Sequence, residues 1–150
     1  MKPREEKKPS IGVHRKRFAL ALVVAFVLAT LFDIVLNGVV LRSAFEAGAR
    51  YWRPPDELNR LAPLGWLSML LMFLFFGLLF VRAGLRGVRQ GLEFGSWLAL
   101  ASVAGVAGMA TLVPWPREIL AGMAVQQAGN ALLLGVSLGW LYRDGTGGLR

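Results

Sequence analysis

Four long, mainly apolar runs dominate this sequence of 150 residues, at 18–41, 64–81, 92–113 and 119–142. A helix needs about 20 apolar residues to cross a hydrocarbon core roughly 30 Å thick. In lipid a spanning segment must also satisfy its own backbone N–H and C=O groups, which leaves the α-helix as the form for an isolated run. The apolar residues of a soluble domain come in stripes. Here they come in blocks, with 55% hydrophobic residues, only 17% charged ones and a positive mean hydropathy. The expected fold is all-α: a polytopic membrane protein, a four-transmembrane-helix bundle with a short interfacial helix between helices one and two.

The net charge of +8 could suggest nucleic acid, but the Lys and Arg residues stand at the ends of the apolar runs. That placement reads as topology and contact with lipid headgroups, with no nucleic-acid partner. Twelve of the 17 lie in the 1–17 tail, the 82–91 loop and the C-terminal tail; five lie in the 42–63 connection and at Arg117. The bias places both termini in the cytoplasm of a multi-pass protein, with the bacterial inner membrane as the expected location. Residues 1–17 form a basic cytoplasmic tail and 144–150 a flexible one. The first run is too long for the ~7–15-residue core of a signal peptide and reads as a retained helix.

The connection between the first two runs is the longest. Its segment from Arg42 to Trp52 suits a helix lying in the headgroup plane, ended by Pro54-Pro55, and Pro55 opens a short turn carrying Asp56 and Glu57. Tyr51, Trp52, Arg53 and Glu57 form a polar-aromatic cluster that is either an interface anchor or a lid over an outward-facing opening. Trp52, Trp66 and Trp115 mark the outer interface, Trp97 and Trp140 the inner one. Helix two carries a single Ser68 and is expected to face lipid. After it, the glycines among Arg82, Arg86 and Arg89 lack the preceding strand and the Gly-Lys-Ser of a phosphate-binding loop. Glu93 is expected to form a cytoplasmic ion pair with Arg86 and Arg89.

Helices three and four carry small residues four apart: Gly91 and Gly95, Ala101 and Gly105, Ala104 and Gly108, then Ala131, Gly135 and Gly139. That spacing lets backbones approach closely in lipid and offers faces for a second copy or a membrane-protein partner.

Helix one carries Thr30, Asp33 and Asn37 on one face. At ~1.5 Å per residue, Asp33 lies about 12 Å below the outer end of its helix, and Gln126 lies equally deep in helix four. Gln127 and Asn130 follow within one turn. If helices one and four are neighbours, Asp33 accepts hydrogen bonds from Gln126 or Asn130, and with no Lys or Arg at that depth it is either protonated or wetted from the outer face. An intramembrane carboxylate costs roughly 2.5–3.5 kcal/mol on insertion scales and by default flags a site. The same layer also reads as a polar clasp that fixes helix register.

Chemistry is sparsely represented. There is no cysteine, and the one histidine, His14, precedes the first run. Thiol chemistry, Cys–His or Ser–His pairs within the membrane, clustered metal ligands and haem held by transmembrane histidines are therefore not expected, and no cofactor is. The function class that fits is an accessory, assembly or lipid-contacting subunit with a polar layer around Asp33. The alternative is a small oligomeric transporter or channel for a proton, ion or small solute, using Asp33 and Asn130. Phe32-Asp33 with Asn37, Tyr51-Trp52-Arg53-Pro54 with Glu57, and Gly91 to Gly95 give the layout a likeness. It resembles the small four-helix bacterial inner-membrane proteins grouped as domains of unknown function. That resemblance implies the fold and no activity.

Overall fold

A computed structural model describes residues 15–142. The tail before Arg15 and the 144–150 tail lie outside the described residues. Within them the chain is all-α. Helix α1 (Arg15–Val35) runs on into a π turn (Leu36–Val40). Then come α2 (Arg42–Ala47), a 3-10 turn (Ala49–Tyr51), α3 (Pro55–Arg82), α4 (Gly87–Met109) and α5 (Arg117–Leu141). Four helices are long and apolar enough to cross a membrane: α1 with its π turn, α3, α4 and α5.

Three boundaries differ from the sequence expectation, each for a local reason. Arg15, Lys16 and Arg17 belong to α1 rather than to the tail. The second span starts at Pro55, not Leu64: Pro55 takes the first helical position and Asp56 and Glu57 fill the first turn, where a proline has no N–H to lose and carboxylates complement the helix dipole. What reads as a separate short turn is thus the start of α3, and Pro63 lies inside the helix. The third span starts at Gly87 and stops at Met109. Pro114 disfavours helical backbone at the residue before it, and Thr111 caps the end by donating its hydroxyl to the Gly108 carbonyl at 2.7 Å.

Packing centres on α5, which meets α1, α3 and α4. Its tightest contact is with α4, through Ala131, Gly135 and Gly139 against Gly91 and Gly95. A Cβ added at Gly91 would stand 2.2 Å from the Gly135 carbonyl oxygen, and one added at Gly135 the same distance from that of Gly91. These small-residue faces therefore meet each other inside the chain. The farther half of α4 differs: a Cβ added at Gly105 or Gly108 would meet open space, and Ala101 and Ala104 are exposed. Of the small-residue faces, that one is left without a neighbour among the described residues.

Helix α1 carries a ridge of its own, Ala21, Ala25 and Ala29, each at 0% exposure. Four-residue spacing of small side chains again allows close approach. Around it Phe18, Leu22, Phe73, Phe80, Leu134, Leu138 and Tyr142 form the core. Phe18 meets Tyr142 edge-on, ring centroids 6.2 Å apart, so the first and last described turns share one end of an up-down-up-down bundle. At that end α3 presses on α1 at Gly77, whose place for a Cβ lies 3.0 Å from Leu22 and Phe18. Every buried residue of α3 falls between Phe73 and Val81; from Pro55 to Met72 it buries none. Helix α3 is held by one half and stands off by the other. Leu20, Val23, Leu31, Leu64, Leu67 and Phe75 are exposed, as expected of faces that meet acyl chains.

Candidate functional site

The stand-off of α3 creates the site. Between its first half and the α1–α5 pair lies a cleft of about 540 Å³. From α1 come Thr30, Asp33, Ile34 and Asn37, and from α5 Gln126, Gln127 and Asn130. From α3 come Gly65, Trp66, Ser68, Met69 and Met72. All six residues of the expected polar layer are thus brought to one cavity wall.

Two glycines of α5 set the register that joins these helices. Gly129 lies under the Phe32 ring and Gly122 under the Leu41 side chain; a Cβ at either would collide with them. With Phe32 and Leu41 seated there, Asp33 turns toward Asn130. The Asn130 amide donates from Nδ2 to both carboxylate oxygens, at 3.1 and 3.3 Å, and Gln126 also interacts with the carboxylate. Asn37 belongs to the π turn, closed by Leu41 N–H to the Leu36 carbonyl at 2.8 Å. Such wider turns recur at functional sites because they re-aim side chains.

Three polar atoms around this pair are buried without a hydrogen-bond partner: Thr30 Oγ1, Asn37 Oδ1 and Asn130 Oδ1. Asn130 is 5% exposed. Orphaned polar atoms at that depth are costly, of order 1–3 kcal/mol each. Their gathering on one cavity is therefore the chemically informative feature. The rim is apolar, Ile34 being 61% and Trp66 58% exposed.

Helix α3 corrects the expectation that its whole surface faces lipid, since its first half is the third wall. Trp66 is not at the helix end either. Because α3 begins at Pro55, Trp66 stands about 16 Å along it. The Ser68 hydroxyl donates to the Leu64 carbonyl of its own helix at 2.8 Å and is not aimed at Asp33. Sequence reasoning missed this wall, along with the two seating glycines.

The other expected clusters lie apart. None of Tyr51, Trp52, Arg53 and Glu57 lines the polar cleft; Trp52 and Arg53 line a separate hollow with Phe45, Ala49, Pro54 and Leu58. Trp52 stacks on Trp115 (5.9 Å, 27°) and packs against Phe45 (5.0 Å). Arg53 pairs with Glu57, and Arg50 donates to the Tyr51 hydroxyl at 2.7 Å. Among the described residues no ion pair joins Glu93 to Arg86 or Arg89. Arg86 precedes α4 in extended conformation with its N–H on Gln90 Oε1, and Arg89 is N-terminal to Glu93 by four, the weaker order for a helical pair. No group of three or more metal-ligating side chains occurs among the described residues.

Four apolar spans around a sequestered carboxylate define the class: a multi-pass helical membrane protein. Compared with family models, curated proteins and solved structures, the chain matches none.

Proposed function

We propose that this chain is a lipid-contacting accessory subunit of the bacterial inner membrane, both termini cytoplasmic, whose working surface is the α1–α3–α5 cleft. The cleft takes the polar end of an amphiphile, with the apolar part against Met69, Met72 and the lipid beyond. One observation carries the reading: the Asp33–Asn130 pair sits among unpartnered polar atoms in a cavity whose rim is apolar.

Magnitudes favour binding over a mere clasp. An acid within a span costs roughly 2.5–3.5 kcal/mol, whereas an interhelical hydrogen bond in a membrane returns about 0.6 kcal/mol on average and about 1.7 at most. The bond to Asn130 does not offset the cost of Asp33, so stability alone is no reason for the acid. A transporter or channel draws less support. Within one chain the cleft ends against the Phe18, Phe73, Phe80 and Leu134 core, which leaves no continuous path.

The test is mild-detergent purification of the full chain followed by lipid extraction and native mass spectrometry. About one amphiphile per chain, lost when Gly65→Leu fills the cleft, is the expected result. Only a micelle-like background of lipid in both proteins would refute the proposal.

A further inference from the structure

We infer that the group seated in the cleft is an ammonium carried on an apolar chain. The inference rests on the amphiphile-binding reading and adds the chemistry of the head. Among the described residues that line the cleft, Asp33 is the only ionisable one, so nothing in the wall balances a carboxylate. The Asn130 NH2 is committed to Asp33, which fixes the amide orientation and leaves its Oδ1 as an acceptor without a donor. Asn37 Oδ1 adds a second such acceptor.

The one charge lining the cleft is negative, and the two amide oxygens buried beside it lack donors; both are complementary to a cation rich in N–H donors. A primary ammonium brings three donors and the charge. A hydroxyl brings one donor and no charge, a quaternary ammonium the charge without donors, and an anionic head is repelled. Trp66 lines the same cleft, and an indole ring attracts cations. The chain has a place as well. Ile34, Met69 and Met72 line the cleft beside its polar residues and lead to the lipid beyond, whereas the gap past Met72 and Gln127 holds only about 10 Å³ and takes no chain. Methionines there adapt to chains of different shape. The amine comes either from an aminophospholipid or from a free amine in solution.

The test uses the full-length chain in phosphatidylcholine nanodiscs and radiolabelled dodecylamine, dodecanol and dodecyltrimethylammonium, each against protein-free discs. Dodecylamine should bind saturably, one per chain and about tenfold tighter than the other two, and Asp33→Asn should weaken it by about tenfold. Asn37→Leu removes an acceptor without touching the Asp33–Asn130 bond. It should weaken dodecylamine several-fold with the helical circular dichroism unchanged, which guards against misfolding of the first variant. Displacement of the label by phosphatidylethanolamine supports a membrane source and displacement by ethanolamine an aqueous one; each upholds the ammonium site. Saturable dodecanol binding as tight as that of dodecylamine, with both variants unaffected, overturns the ammonium assignment and leaves the amphiphile reading standing. No saturable binding of any of the three overturns both.

Discussion

Asp33 and Asn130 make unequal contributions, and that asymmetry can be measured. Replacing Asn130 by Leu leaves a carboxylate without its donor, a loss of about 1–3 kcal/mol. Replacing Asp33 by Leu removes the group that is costly to insert, roughly 2.5–3.5 kcal/mol at a helix centre, which offsets the about 1–3 kcal/mol of leaving the buried Asn130 amide without its acceptor. Unfolding in mixed micelles, followed by circular dichroism, should show Asn130→Leu destabilised and Asp33→Leu as stable as the native chain or more so. A pair that existed to clamp the helices would lose stability in both variants. The seating of Phe32 on Gly129 yields a second residue-scale prediction. Gly129→Val should cost about 1–3 kcal/mol by overpacking and, by pushing α1 away, reduce amphiphile retention along with stability.

At the scale of the helices, the α4–α5 seam and the outer half of α4 predict opposite outcomes for the same kind of change. Gly135→Ala puts a methyl group against the Gly91 carbonyl and should lower the unfolding midpoint, by about 1–3 kcal/mol on the scale of overpacking. Gly105→Ala meets open space and should leave the midpoint unchanged. The number of spans and the shared layer of Asp33 and Gln126, with Asn130 a turn deeper, were legible in the sequence, because run length and the rise per residue depend on one helix at a time. Small residues four apart announced close approach on α4 and α5, but spacing does not choose a partner, and in the structure half of the surface is spent within the chain. The start of α3 is ambiguous in the sequence because Pro54-Pro55 reads as a break before a short turn, although a proline at the first helical position opens a long helix equally well. The third wall of the cleft was illegible for a deeper reason. Ser68, Met69 and Met72 acquire polar neighbours only through the crossing at Gly77, a relation between helices that no periodicity within one of them encodes.

The whole molecule has two ends that differ in chemistry. Phe18 and Tyr142 close one, while α2, Trp52 and Trp115 gather at the other. With both termini cytoplasmic as proposed, the second end faces outward. The cysteine-free sequence makes this simple to check: Ala83→Cys and Leu112→Cys lie in connections at opposite ends of the bundle. A membrane-impermeant maleimide applied to intact cells should modify the cysteine at 112 and spare the one at 83 until the membrane is opened. The reverse pattern would invert the topology.

Fixed by glycine against glycine, α4 and α5 behave as a stator, and α1 is keyed into it through Phe32 and Leu41. Helix α3 is seated near Gly77 and buries no residue from Pro55 to Met72. A small tilt about that seat widens or narrows the slot beside Asp33 without opening any well-packed seam. If the cleft holds an amphiphile as proposed, whatever grips the leucines along that half of α3 also sets how firmly the guest is held.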